Sequence, residues 1–204
     1  MLTIGITGPT GAGKTTVLNV LRELDAVVLD CDELYHELTE RCHPMREELS
    51  GRFGPEIFDE FGALRRKVLG AMVFGDEAAL ADLNGITHRY ISQTVREEID
   101  RARQQGRPAV AIDAIALLEG GLGALCDVTV AVTAADELRV RRIMLRDGIS
   151  EEYARSRVAA QKPSAWFETH CDHTLRNDGD DPEDLRQRAF ALFVPMLKTH
   201  KEET

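Results

Sequence analysis

The feature that most constrains the fold of this chain is a glycine-rich stretch near its amino terminus. Gly8 to Thr15 matches the pattern G-x-x-x-x-G-K-[ST]. The apolar and β-branched residues Leu2–Thr7 come before it and predict a buried strand, and Thr16–Leu24 has apolar residues at helical spacing. A strand, a glycine-rich turn and a helix in this order predict a phosphate-binding loop at a helix N-terminus.

The residue types of this stretch explain how it would hold a triphosphate. Backbone N–H groups at a helix N-terminus are unpaired, and the helix dipole favours an anion there. Glycines let the backbone curve closely around phosphate oxygens. Lys14 is expected to bring an ammonium group to the β- and γ-phosphates, and Thr15 a hydroxyl to Mg²⁺. We therefore assign nucleotide binding to Gly11, Ala12, Gly13, Lys14, Thr15 and Thr16.

Composition narrows the class of ligand and the compartment. The 204 residues carry a formal net charge of −10, so a small phosphorylated ligand is favoured over nucleic acid. The four cysteines are scattered without a C-x-x-C pair, which is typical of a reducing cytoplasm rather than of a zinc or disulfide scaffold. There is no apolar run of membrane-spanning length and no signal-peptide pattern, so we expect no membrane association.

Further strands are predicted along the chain. They lie at Ala26–Leu29, Ala109–Asp113 and Asp127–Val132, with a later, weaker one at His173–Arg176. The third strand ends in Asp113 and resembles a Walker B strand. Strands that alternate with helices predict a parallel sheet covered on both faces.

Two acids, Asp30 and Asp32, follow the second strand. We expect the two carboxylates, with one residue between them on extended chain, to point in opposite directions, so that only one of them reaches the phosphate loop. The alternative is that both acids cap the helix that follows.

The middle of the chain has little strand character. Helical patterns lie at Met45–Phe53, Leu64–Phe74, Glu77–Ile86 and Ile91–Arg103. This region predicts a helical insertion that binds the acceptor. A closing amphipathic helix is predicted over Glu183–Lys198.

Arginines cluster after the fourth strand. Arg139, Arg142 and Arg146 share one face of a predicted helix over 137–147, and Arg155 and Arg157 lie on the next helix, after the break at 148–150. Two arginine-bearing helices in this place predict a lid that closes over the transferring phosphoryl group. The alternative is a solvated helix face.

Together these motifs resemble the dephospho-CoA kinase family over nearly the whole chain. The glycine-rich loop is followed by Val28-Leu29-Asp30-Cys31-Asp32, which resembles V-[IL]-D-A-D. The remaining matches are Gly62–Arg66 with Val73-Phe74, Ile86–His88, Asp113–Leu122, Arg142 with Arg146-Asp147-Gly148, Ala159–Gln161 and Asn177–Gly179.

The resemblance implies an α/β P-loop kinase with a five-stranded parallel sheet flanked by helices. It implies a core of about 1–40, 107–138 and 170–204, a helical CoA subdomain of about 41–106, and a helical lid of about 139–169. The implied reaction is ATP-dependent phosphorylation of the ribose 3′-hydroxyl of dephospho-CoA.

The resemblance also implies roles for individual residues. Asp32 rather than Asp30 orients or deprotonates the hydroxyl, and Arg142 and Arg146 contact ATP. His88, Leu118 and Glu119 lie along the acceptor. The implied catalytic set is Asp32, Lys14 and Arg142.

Three departures from the family pattern concern the acceptor more than ATP. Arg89 and Ile115 stand where proline is usual, and Phe61 stands where aspartate is usual. A kinase for a nucleoside, a nucleoside monophosphate or another small acceptor is therefore one alternative. A GTPase-type switch is another, although the chain has no N-K-x-D tetrapeptide for guanine.

Overall fold

The computed structural model of the chain describes residues 1–179 and 181–202. In these residues, five strands form one sheet in the order β2-β3-β1-β4-β5. The strands are β1 Leu2–Thr7, β2 Val27–Asp30, β3 Ala109–Asp113, β4 Val128–Thr133 and β5 His173–Arg176. The predicted five-stranded parallel sheet is confirmed, and so is its weakest strand, β5, which runs parallel to β4.

The central strand explains where the glycine-rich loop lies. β1 pairs in parallel with β3 on one side and β4 on the other, with Ile6 opposite Asp113 and Thr7 opposite Ala131. All of β1 is buried, as expected for a strand with helices on both faces. The loop that follows β1 therefore begins at the middle of the carboxyl edge, where open α/β sheets bind their ligands.

Helices fill the intervals between the strands. They are α1 Lys14–Glu23, α2 Cys31–Arg41, α3 His43–Phe53, α4 Arg66–Val73, α5 Glu77–Gln104, α6 Asp136–Asp147, α7 Glu151–Ala159, α8 Ser164–His170 and α9 Pro182–Glu202. Short 3₁₀ turns lie at Pro55–Ile57 and Leu122–Leu125. Among the described residues, no helix is both long and apolar enough to cross a bilayer.

The chain divides into two compact units, each with its own core. The first unit, Met1–Leu29 with Ile99–Thr204, buries one face of β1 and the apolar sides of α1 and α9 in a shared cluster that includes Ile6, Leu21 and Phe193. The second unit, Asp30–Glu98, packs α3, α4 and α5 around Met45, Leu49 and Leu69.

The helical patterns predicted at Glu77–Ile86 and Ile91–Arg103 lie in one continuous helix and not in two. The two expected helices form one helix of 28 residues, α5. The four residues between them contain neither proline nor glycine, and the Thr87 hydroxyl donates to the carbonyl of Leu83 at 2.9 Å, within the same turn. Apolar periodicity alone could not reveal the continuity, because the intervening residues are polar.

The expectation that Asp30 and Asp32 lie together on extended chain is also wrong. β2 ends at Asp30 and α2 begins at Cys31. The Asp30 carboxylate caps this helix by accepting from the backbone N–H groups of Asp32 and Glu33, at 2.9 and 3.1 Å. Asp32 is exposed in the first turn of α2. The two acids therefore differ because one is a cap, not because strand alternation separates them.

Candidate active site

The phosphate loop, residues 8–15, connects β1 to α1 through backbone conformations that favour glycine. Gly8 and Gly13 have φ angles of 136° and 105°. A Cβ at Gly8 would lie 2.0 Å from the Val132 carbonyl oxygen, and one at Gly13 would lie 2.4 Å from the amide nitrogen of the Asn177 side chain. The loop is therefore packed closely against β4 and the segment after β5, which only glycine permits.

Lys14 is the first residue of α1 and lies across the loop. Its ammonium group donates to the Gly8 carbonyl at 2.9 Å. Within this fully described helix, the first turn holds no acidic residue, and the cap is the glycine of the loop. The positive end of the helix dipole and the lysine therefore face the loop together, which is the electrostatic arrangement of an anion site. Gly11, Ala12 and Gly13 form the bend just before it.

Asn177 supports the loop from the segment that follows β5. Its side-chain amide donates to the Ala12 carbonyl at 2.8 Å, and its backbone N–H donates to Thr133 at 2.7 Å. Only 7% of Asn177 is exposed. The sequence pointed to Asn177 solely through the N-x-G match, which assigned it no role.

Arg142 reaches the same place from α6. Its guanidinium donates to the carbonyls of Asn177 at 3.1 Å and Gly179 at 2.8 Å, and lies 3.5 Å from the Gly11 carbonyl. The side chain is half-buried. The guanidinium has five N–H donors in a rigid plane, so it can bond these carbonyls and still face an anion.

The other arginines of α6 and α7 have different surroundings. Arg146 donates to Asp147 at 2.6 Å, and Arg157 from α7 donates to the same carboxylate at 2.6 Å. Arg155 pairs with Glu137 and Glu151. Hydrogen bonds from Arg146 and then Arg157 lower the pKa of Asp147 to about 2. The two helices also share a small apolar cluster that includes Ile143 and Val158.

Arg139 does not share the environment of Arg142 and Arg146, contrary to the expectation of one arginine-bearing face. Its side chain is 1% exposed and contacts the phosphate loop through Thr10, together with Gln161. A helical repeat indicates a common face but not how deeply each residue on it is buried. The match to A-A-Q was the only sequence signal for Gln161.

In the first unit, the turn after β3 holds Leu118 and Glu119, which the family resemblance assigns to acceptor binding. Glu119 is exposed and lines a cavity of about 460 Å³ together with Ile115, Gln161 and Lys162. Leu118 is half-buried beside it. The Ile115 carbonyl accepts a hydrogen bond from the Thr7 hydroxyl at 3.0 Å, which ties this turn to the end of β1.

The second unit holds Asp32 and His88. Asp32 is exposed in the first turn of α2, and His88 is half-buried on α5. Nearby in sequence, Arg89 forms an ion pair with Glu48 of α3, which also accepts from the Tyr90 hydroxyl at 3.2 Å. Arg66 contacts the His36 ring at 2.6 Å, which joins α4 to α2.

The fold and the loop define a class of protein. The central strand of the parallel sheet leads through a glycine-rich loop to a helix that starts with lysine, and an arginine is directed at the loop. This arrangement is typical of P-loop kinases that act on small molecules.

Comparison with known proteins identifies the family. A sequence model of the dephospho-CoA kinase family matches residues 2–183. The chain belongs to the dephospho-CoA kinase family, and it is therefore a phosphotransferase with ATP as phosphate donor.

Individual relatives match over almost their full length. The dephospho-CoA kinase of Syntrophotalea carbinolica is 34% identical over 197 residues, which cover 97% of this chain and 93% of that protein. The dephospho-CoA kinase of Anaeromyxobacter dehalogenans is 38% identical over 96% of this chain and 92% of that protein. The solved structure of TT1252 from Thermus thermophilus superposes with a TM-score of 0.79 at 34% identity, over 95% of this chain and 97% of that one.

Proposed function

We propose that this chain transfers the γ-phosphoryl group of ATP to the ribose 3′-hydroxyl of dephospho-CoA, which yields coenzyme A in the last step of its synthesis. Membership of the family supports the reaction. The observation that carries the assignment of the site is the loop itself, in which Lys14 and the start of α1 face the same bend.

ATP is held by the phosphate loop in this proposal. Gly11, Ala12, Gly13, Lys14, Thr15 and Thr16 surround the phosphates, and the backbone N–H groups and the Lys14 ammonium neutralise their charge. Arg142 and Arg146 of α6 are assigned to the phosphates, although in the structure Arg146 is paired with Asp147. The half-buried Arg142 is already directed at the loop through its contact with Gly11, which supports its assignment.

Magnesium is the metal that this reaction class uses, and the residues fit it. Mg²⁺ prefers hard oxygen ligands, and it is commonly held by one or two protein oxygens together with substrate phosphates and water. Across residues 1–179 and 181–202, no group of three or more His, Cys, Asp or Glu could hold a metal ion. We assign the Thr15 hydroxyl as the protein ligand of an ion that arrives with ATP. When bound, it neutralises charge on the phosphates.

The acceptor side of the proposal assigns Asp32 as the group that orients the 3′-hydroxyl and accepts its proton. The use of Asp30 as a helix cap supports this choice, because a carboxylate that accepts two backbone N–H bonds is committed to structure. His88, Leu118 and Glu119 are assigned to binding of dephospho-CoA. We also propose a cytoplasmic location, which the scattered cysteines of the sequence favour.

The experiment that tests the proposal is transfer from labelled ATP to a panel of acceptors, with the products identified by mass spectrometry. Dephospho-CoA should give coenzyme A at a kcat/KM that exceeds those for nucleosides and nucleoside monophosphates by orders of magnitude. A preference for one of those smaller acceptors would refute the assignment.

A further inference from the structure

One residue of the phosphate loop is bonded on every polar atom by two side chains from outside the loop. The Thr10 N–H donates to the Gln161 side-chain oxygen at 3.0 Å, and the Gln161 amide nitrogen donates to the Thr10 hydroxyl at 2.9 Å. Arg139 Nε donates to the Thr10 carbonyl at 3.0 Å. Thr10 lies between the loop glycines Gly8 and Gly11, in a segment whose composition makes it conformationally permissive.

The two side chains that hold Thr10 also hold each other. Arg139 donates to the Gln161 side-chain oxygen at 2.8 Å and to Asp136 at 2.7 Å. Arg139 belongs to α6, and Gln161 lies two residues after the end of α7. A residue near the start of α6 and a residue just beyond the end of α7 therefore both bond a single loop residue, Thr10.

A fully buried arginine has a cost that its surroundings must offset. Arg139 is 1% exposed, and burial lowers the pKa of its guanidinium, while Asp136 acts in the opposite direction. Taking a cation out of water is unfavourable unless its donors are paired with good geometry, as they are here. An apolar side chain would fill the same space without this penalty, so packing alone does not explain an arginine.

We propose that Arg139 and Gln161 are positioning residues that clamp Thr10 and hold the phosphate loop in its nucleotide-binding curvature before nucleotide arrives. The inference rests on the proposed function in that it takes this loop as the nucleotide site. A loop rich in glycine loses more conformational entropy when it is ordered, and a clamp makes that loss part of folding instead of part of binding.

The test measures ATP binding by calorimetry alongside turnover in the full-length protein. Arg139→Met should raise the Kd for ATP about tenfold or more, because charged hydrogen bonds to the loop are lost. The KM for dephospho-CoA should stay within about twofold, because the clamp acts on the other substrate. Arg103→Met is the matched control, since Arg103 also bonds the aspartate three residues earlier but is 61% exposed. The control should bind ATP like the wild type.

A second variant separates a clamp from a simple positive charge. Arg139→Lys keeps the charge but replaces a planar fork with one compact ammonium, which cannot bond Thr10, Gln161 and Asp136 together. If the clamp requires the guanidinium, Arg139→Lys should keep most of the loss of ATP affinity that is expected for Arg139→Met. Wild-type ATP affinity in Arg139→Lys would overturn the proposal.

The Gln161 variant keeps the proposal testable if Arg139→Met does not fold. Gln161→Leu is similar in size and removes both bonds to Thr10, so it should also weaken ATP binding. In the double variant, the two losses should be less than additive, because both side chains act on one residue. If both single variants fold and bind ATP like the wild type, the clamp is refuted, even when the wild type makes coenzyme A. If the wild type binds ATP but prefers another acceptor, the proposed function fails and the clamp stands.

Discussion

Lys14 illustrates how a single side chain links the fold of this protein to its chemistry. Its ammonium donates to the Gly8 carbonyl across the loop, so it is already directed at the bend that would receive phosphate. The same residue begins α1, so its charge adds to the positive end of the helix dipole.

Replacing Lys14 should abolish most of the transfer without unfolding the protein. We expect Lys14→Ala to lower kcat by roughly 100-fold or more, because a charge that stabilises the transferring phosphoryl group is lost. Single-turnover kinetics would measure this, and Lys198→Ala on α9 is the control. Near-wild-type turnover in folded Lys14→Ala protein would contradict the assignment.

Replacing the two acids after β2 should have opposite effects on stability and on turnover. Asp30→Ala removes the cap of α2 and should lower the free energy of unfolding by about 1 kcal/mol, with a small effect on kcat. Asp32→Asn should leave stability nearly unchanged and lower kcat strongly, because a carboxamide cannot accept the hydroxyl proton. Chemical denaturation and steady-state kinetics on both variants test the pair. A larger loss of kcat in Asp30→Ala than in Asp32→Asn would show that the two assignments are reversed.

The pair formed by α6 and α7 carries arginines with different surroundings on neighbouring turns. Asp147 joins the helices by bonding Arg146 and Arg157, while Arg142 faces the loop. The arginines that recur along α6 therefore differ in what they contact.

The Asp147 junction should make the stability of this protein depend on pH in acid. The pKa of Asp147 is lowered from 3.8 to about 2 by the hydrogen bonds from Arg146 and then Arg157. A carboxyl whose pKa is lower in the folded state stabilises the fold above its unfolded pKa, and this contribution is lost as the pH falls through the folded value. The stability advantage of the wild type over Asp147→Asn should thus be full above pH 3.8 and shrink towards pH 2. Urea unfolding at stepped pH measures it, and a difference that does not change with pH would contradict it.

Arg142 should affect turnover more than folding. Arg142→Ala removes the guanidinium from the loop and should lower kcat/KM for ATP by about tenfold or more. Because the side chain also bonds the carbonyls of Asn177 and Gly179, a modest loss of stability should accompany this. Arg141→Ala, on the adjacent exposed position, is the control. Unchanged kinetics at all ATP concentrations would remove Arg142 from the site.

The whole protein combines a unit that contains the phosphate loop with a helical unit that departs from the family pattern at Arg89. Arg89 is ion-paired with Glu48, and this hydrogen bond is the largest cause of the lowered pKa of Glu48. The cation is therefore already matched within its own unit. This favours a structural role for Arg89 over recruitment of the pyrophosphate of dephospho-CoA.

Acceptor preference should accordingly survive the loss of Arg89. We expect Arg89→Ala to raise the KM for dephospho-CoA at most about threefold, because an exposed ion pair contributes little. The order of preference among acceptors should stay the same. A competition assay with dephospho-CoA and a nucleoside monophosphate measures this, and a reversed preference would show that Arg89 selects the acceptor.

Local patterns in the amino-acid sequence were sufficient for the parallel sheet and the phosphate loop. Alternation, glycine spacing and the lysine at the helix start depend on neighbours a few residues away, and such neighbours are visible in sequence. The family resemblance added further residue roles, and the roles of all the site residues, Lys14 and Arg142 as much as Asp32 and His88, stay predictions.

Other features required the folded chain, because they depend on contacts between residues far apart in sequence. Thr10 and Gln161 are 151 residues apart, and Ala12 and Asn177 are 165 apart, yet both pairs are hydrogen-bonded. The same applies to burial: the repeat at Arg139, Arg142 and Arg146 is regular, but only the packing of α6 against the loop makes Arg139 internal. The continuity of α5 and the capping by Asp30 are local instead, and apolar periodicity misses them because it does not encode hydrogen bonds.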